Sequence, residues 1–254
     1  MAAQLSVEPN PAVPLRVVVE DPHFLVVDKP AGVVTQPGIG HALDTVLNGL
    51  FASHGLALQN LGKVRDFGLL HRLDKPTSGL LVVGLTIEGY DDIRRQFEQR
   101  EVHKTYLALV HGAPQPADGT ERSPLREVRR DGRKRAQVGA GRGAQDAVTR
   151  YRTLVRSKGI SLIACEPRTG RLHQIRAHLA HRGCPVIGDR DYGPRGPLDK
   201  VFARHARGAV GLHAAELRFS HPITRQMITA RAPLPAGILA FCAEVGLACP
   251  RVWR

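Results

Sequence analysis

Neither a CxxC pair nor the dense cysteine spacing of a secreted disulfide scaffold occurs in this chain of 254 residues; its four cysteines, Cys165, Cys184, Cys242 and Cys249, are scattered. That usage predicts reduced thiols in a cytoplasmic protein. No apolar stretch approaches the roughly 20 residues needed to cross a bilayer, and Met1 to Pro14 lacks the basic start and long apolar run of a signal peptide. A soluble protein with no membrane partner is the expectation. Acidic residues are scarce as well: 23 Asp plus Glu face 36 Lys plus Arg, a formal charge of +13. The excess points to a polyanionic partner, a basic solubilising surface being the bland alternative. There is no internal repeat, and the length allows one large domain or two small ones with a substantial core.

Residues 1–14 are rich in Pro and Ala without periodicity and are expected to be a flexible arm. Leu15 to Val19 and Phe24 to Val27, parted by Asp21-Pro22, read as paired strands, broken by Lys29-Pro30-Ala31-Gly32. Asp44 is the expected cap of a helix that buries Val46, Leu47, Leu50 and Phe51 and ends near Gly55. Gly79 to Leu85 has the length of a buried strand, and Ile87, Tyr90, Ile93 and Phe97 then recur at helical spacing up to about Arg100. Further strands are expected at His103 to Val110, Ala147 to Val155 and Ile160 to Cys165, and a helix with Leu172, Ile175 and Leu179 stops at Gly183. Many strands with few helices predict an α+β fold, a mixed, largely antiparallel β-sheet flanked by helices.

The one sharp shift in composition runs from Arg122 to Arg142 and centres on Arg129, Arg130, Arg133, Lys134 and Arg135. It reads as a loop, either solvated or contacting phosphates; the second reading predicts steeply salt-dependent binding.

Two segments carry most of the chemistry. His71-Arg72-Leu73-Asp74-Lys75-Pro76-Thr77-Ser78-Gly79 places one carboxylate in a short, turn-forming, basic stretch, and Arg168-Thr169-Gly170-Arg171-Leu172-His173-Gln174-Ile175-Arg176 is basic and amide-bearing. By residue type alone Asp74 is a turn or cap residue, Arg176 a phosphate contact or plain ion pair, and Tyr106 a core residue. Together with Asp28-Lys29-Pro30-Ala31-Gly32, Lys104-Thr105-Tyr106-Leu107-Ala108, Gly183-Cys184-Pro185-Val186-Ile187-Gly188-Asp189, Leu212-His213-Ala214-Ala215 and His221-Pro222, these blocks resemble the RluA-type family of RNA pseudouridine synthases over most of the chain.

The resemblance implies the pseudouridine synthase catalytic fold over residues 15–254 without an S4 domain, and an isomerase acting on structured RNA, rRNA or tRNA. It implies Asp74 as nucleophile, Arg176 as its ion-pair partner, and Tyr106 as the ring that stacks on the target base and handles the C5 proton. Isomerisation brings in no group and changes no oxidation state, so no cofactor and no metal is expected. A uridine in folded RNA must be extruded or already unpaired. His71 and Arg72 are placed to contact that RNA or to hold the catalytic loop, with Lys29 and Arg171 as weaker candidates beside the basic residues at 129–135. Where the family often has a His before Pro, this chain has Thr35-Gln36-Pro37, so no role passes to a His there. A monomer is the default.

Other chemistries fit poorly. Asp66-Phe67-Gly68 and His71-Arg72-Leu73-Asp74 echo kinase signatures in the wrong order, without a glycine-rich phosphate loop. His173, His178 and His181 lack zinc-site spacing. The rival from another class is a non-catalytic RNA-binding protein or RNA chaperone on the same fold.

Overall fold

The structure is a computed structural model and describes residues 5–253. In chain order its elements are β1 (Arg16–Glu20), β2 (Phe24–Lys29), α1 (Val46–Leu61), β3 (Ser78–Gly84), α2 (Ile87–Glu98), β4 (His103–His111), β5 (Asp118–Glu121), β6 (Leu125–Arg130), β7 (Arg133–Val138), β8 (Thr149–Ser157), β9 (Ile160–Pro167), α3 (Gln174–His181), α4 (Pro197–His205), β10 (Leu212–Ser220), β11 (Met227–Arg231) and α5 (Ala236–Glu244). The class is α+β with antiparallel pairing, as expected. The span expected as one catalytic domain comprises two compact units: the chain up to Val102 with Glu216–Ala232, and His103–Ala215 with Pro233 onward. β10 contributes residues to both.

In the first unit the strand order is β1-β2-β3 and then β10, with β11 on β10. β2 and β3 pair antiparallel from Phe24↔Gly84 to Lys29↔Gly79, and their apolar runs Phe24–Val27 and Leu80–Val83 are wholly buried. Such runs, covered on both faces, show no polar alternation. One face, with Phe24, Val26, Leu80 and Val82, packs with Leu217 and Phe219 of β10 and with Tyr90 and Ile93 of α2. Ile87, in the first turn of α2, stays half-exposed despite its spacing.

The cap of α1 differs from expectation. Thr45, not Asp44, is the N-cap: its hydroxyl accepts from Asn48 N, and the Asn48 side chain accepts in return from Thr45 N. Thr45 and Asn48 are buried, so these bonds satisfy groups that water cannot reach, whereas exposed Asp44 bonds His41. The helix also passes Gly55 through a kink at His54 and ends at Gly62, because Leu58 and Leu61 are buried beyond it. Residues 5–14, expected as an arm, lie along this helix: Asn10 N donates to Asn48 O, Ser6 N donates to Gln59, and Val7 is buried.

In the second unit the order is β10-β4-β9-β8-β5. Leu107, Leu109, Ile160 and Leu162 pack with Phe202 of α4 and Ile238 and Phe241 of α5, and Ala108, Val110, Ile163 and Cys165 pack with Ile175 and Leu179 of α3. This alternation along β4 and β9 gives each face its own helices. The basic segment expected as a loop is instead a β-hairpin. β6 and β7 pair from Leu125↔Val138 to Arg130↔Arg133 and turn at Asp131-Gly132, both with positive φ (51° and 72°). Asp-Gly is the dipeptide that such a tight turn favours. Leu125 and Ala136, backed by Val138, pack with Ala147, Tyr192 and Ala177 of α3, which gives the ribbon an apolar footing.

Candidate active site and the basic ribbon

In the first unit the segment leading into β3 is held through its backbone. The Thr35 hydroxyl accepts from Leu73 N (3.2 Å) and donates to Leu73 O (2.9 Å). Thr77 N donates to Asp74 O at 3.0 Å, closing a turn on the aspartate. Lys75 O accepts from Gly32 N (2.7 Å) and from Lys29 Nζ (3.3 Å), which also donates to Pro30 O (2.9 Å) and Val33 O (2.8 Å). One ammonium thus stitches the 30–33 turn to the residue after Asp74. Leu73 is buried and Asp74 half-buried, so the carboxylate sits where the chain emerges from the core.

Lys29, a candidate for RNA or loop contacts, is 0% exposed, and its three bonds go to loop carbonyls. Burial pulls its pKa down to about 7, against the opposing pull of Asp74 and Asp28. His71 accepts from Val82 N at 3.1 Å and lies 5.0 Å from the Phe97 ring. Arg72 and Lys75 are exposed. Lys75 Nζ lies 3.1 Å from His41 Nε2, and His41 Nδ1 lies 2.7 Å from Asp44, a chain of contacts absent from the expected site.

In the second unit Tyr106 lies on β4 opposite Cys165 and is half-buried against the Ala108 and Ile163 cluster. Arg176, on α3, is 3% exposed. Its Nε and Nη2 donate to the two oxygens of Asp189 at 2.7 and 2.8 Å, Nη2 donates to Asp191 at 3.0 Å, and its guanidinium carbon lies 5.2 Å from the Tyr192 ring centroid. The Asp189 side chain is 0% exposed, so this two-pronged pair is the local counter-charge of a buried carboxylate. Gln174 fastens the turn ahead of α3: Oε1 accepts from Thr169 Oγ1 and Arg171 N, and Nε2 donates to Val148 O and Thr149 Oγ1. Arg171 is exposed and donates to Asp146 O. Asp189 already stands in the Gly183–Asp189 block, but nothing local marks its partner. Asp191 and Tyr192 carry no such mark.

His173 and His178 are engaged within the protein: the His173 ring meets Tyr192 Oη at 3.0 Å, and His178 meets Thr149 Oγ1 and Ser123 O. Burial raises the Tyr192 phenol to about 12, so it stays protonated. Its oxygen accepts from Ala136 N at 2.7 Å and meets the His173 ring on its other side.

On the ribbon, Arg129, Arg130, Arg133 and Lys134 are exposed, with Lys134 3.0 Å from Glu127. Arg135 differs: its side chain is 17% exposed and pairs with Asp191 at 3.0 Å.

The sequence matches the RNA pseudouridylate synthase family over residues 23–181. It is 41% identical over 230 residues to a ribosomal large subunit pseudouridine synthase D of Xanthomonas campestris, covering 88% of this chain and 67% of the relative. It is 38% identical to the uncharacterized RNA pseudouridine synthase YlyB of Bacillus subtilis, covering 87% and 69%. Among solved structures, human RNA pseudouridylate synthase domain containing 4 superposes with a TM-score of 0.71 at 26% identity, covering 92% of this chain and 94% of that one. With the family match reaching from the strand before Lys29 through the helix of Arg176, the chain belongs to the RluA-type RNA pseudouridine synthases, isomerases that act on uridine in RNA.

Proposed function

We propose that this enzyme converts specific uridines of large-subunit ribosomal RNA to pseudouridine, with Asp74 as nucleophile, Arg176 as its ion-pair partner, and Tyr106 stacking on the base and handling the C5 proton. Support for the substrate comes from the name of the Xanthomonas relative. Support for Asp74 comes from the fastening of its turn through backbone groups by Lys29 and Thr35. A nucleophile held this way loses little freedom on reaching the transition state.

The reaction breaks the C1′–N1 bond and forms C1′–C5; C5 gives up its proton and N1 gains one, so atoms and electrons balance within the nucleotide. An ionised carboxylate serves by attacking the sugar or base, or by stabilising positive charge at C1′. The exposed arginines of the ribbon, with Arg72 and Arg171, supply phosphate contacts.

The test is tritium release from RNA labelled at uridine C5, with large-subunit ribosomal RNA and tRNA in parallel. Wild type is expected to release tritium from ribosomal RNA and Asp74→Asn none. Release from tRNA alone would reassign the substrate. Equal release by both proteins would remove Asp74 from the chemistry, and no release with retained binding would favour the non-catalytic RNA binder.

A further inference from the structure

The ribbon and the candidate catalytic arginine share partners. Asp191 receives Arg176 on one oxygen (3.0 Å) and Arg135 of β7 on the other (3.0 Å). Tyr192, the next residue, lies under the Arg176 guanidinium, and its oxygen accepts from the backbone of Ala136, the residue after Arg135. Ala136 packs in one cluster with Ala177, the residue after Arg176. Neighbouring positions on β7 thus reach neighbouring positions on α3 by way of Asp191 and Tyr192, which carry the ion pair and the hydrogen bond, and through the shared apolar cluster.

Charge gives this link a purpose. Among the groups described at the guanidinium, the two carboxylates of Asp189 and Asp191 outweigh the single charge of Arg176 unless Arg135 is counted with it. A nucleophilic carboxylate drawn to Arg176 would then meet repulsion. Arg135 cancels that excess. It does so from a side chain withdrawn from solvent, while Arg129, Arg130, Arg133 and Lys134 face outward.

We propose that Arg135, through Asp191, and Tyr192 are positioning residues that set the charge and orientation of Arg176, so that the inner edge of the ribbon prepares the catalytic arginine while its outer arginines meet RNA. This rests on the reading of Arg176 as the partner of Asp74. It removes Arg135 from the set of direct RNA contacts.

The experiment compares Arg135→Gln, Arg135→Lys and Asp191→Asn with Asp74→Asn and Arg176→Lys. It measures single-turnover tritium release at saturating C5-labelled ribosomal RNA and, separately, RNA affinity by filter binding. Arg135→Gln and Asp191→Asn should lower the saturated rate about ten- to a hundredfold, the scale of a misplaced catalytic group. Affinity should stay within about twofold, and Arg135→Lys should recover part of the rate. On the Arg176→Lys background, Arg135→Gln should add no further loss. If Arg135→Gln melts early, Arg135→Lys and Asp191→Asn carry the same comparison. Loss of affinity with a wild-type saturated rate would make Arg135 an RNA contact and overturn the proposal while leaving Asp74 and Arg176 in place. Full activity of Asp74→Asn or Arg176→Lys would instead overturn the reading on which it rests.

Discussion

Lys29 shows how one buried charge can organise a loop and leave a mark on stability. Its folded pKa of about 7 lies below its ordinary 10.5, so between those values the unfolded chain binds a proton that the folded chain does not. Stability therefore rises with pH across that window, by at most about 1.4 kcal/mol per pH unit. Below pH 7 the cost of the buried charge is present in full. Urea midpoints of wild type and Lys29→Met, followed from pH 6.5 to pH 9, should show this rise in wild type alone. Lys29→Met also leaves the Pro30 and Val33 carbonyls without their donor, a penalty of about 1–3 kcal/mol each if buried, and should slow turnover by loosening the turn at Asp74. Arg176 behaves differently. Removing it outright strands the Asp189 carboxylate, at a cost of about 3–5 kcal/mol, so Arg176→Met should unfold early where Arg176→Lys survives thermal melting.

At the scale of elements, the basic ribbon makes the sharpest prediction. If its exposed arginines meet phosphates, Arg130→Gln with Arg133→Gln should weaken RNA binding and flatten the slope of log affinity against log salt by about 0.7–0.9 per lost contact. Titrations at several salt concentrations check this, and an unchanged slope would put RNA elsewhere. The ribbon was legible in part. Asp131-Gly132 between runs that alternate toward Leu125, Ala136 and Val138 is a hairpin signal, but the density of arginine masks the alternation, since Leu125, Ala136 and Val138 are small or widely spaced. The cap of α1 was misplaced by one residue for a related reason: Asp44 and Thr45 are both good caps, and only burial with Asn48 selects Thr45. By contrast β2, β3, α2, β4, β8 and β9 stood out, β2 and β3 because packing on both faces leaves an uninterrupted apolar run and α2 because one face carries a regular apolar stripe.

At the scale of the molecule, what the residues could not reveal is pairing across long separations. β10 is one continuous strand, yet Leu212–Ala215 belongs to the second unit and Glu216–Ser220 to the first. The link from Arg176 to Asp189 and Asp191 is likewise invisible in either segment alone, though the segments that carry Asp74 and Arg176 stood out at once. All four cysteines fall in the second unit, and all are buried. Burial raises the Cys184 thiol to about 11 and moves Cys165 further in the same direction, while a bond with Cys249 and then burial raise Cys242. Iodoacetamide at pH 8 should therefore leave the folded protein unmodified and alkylate all four thiols in denaturant, which mass spectrometry reads directly. The silence of the native thiols has a practical consequence. Ile39 is fully exposed in the segment between Thr35 and Asp44, where Thr35 grips Leu73 next to the aspartate. A dye attached through Ile39→Cys would be the sole fluorescent label on an otherwise unaltered chain, and its emission would report in real time how that segment responds when an RNA arrives.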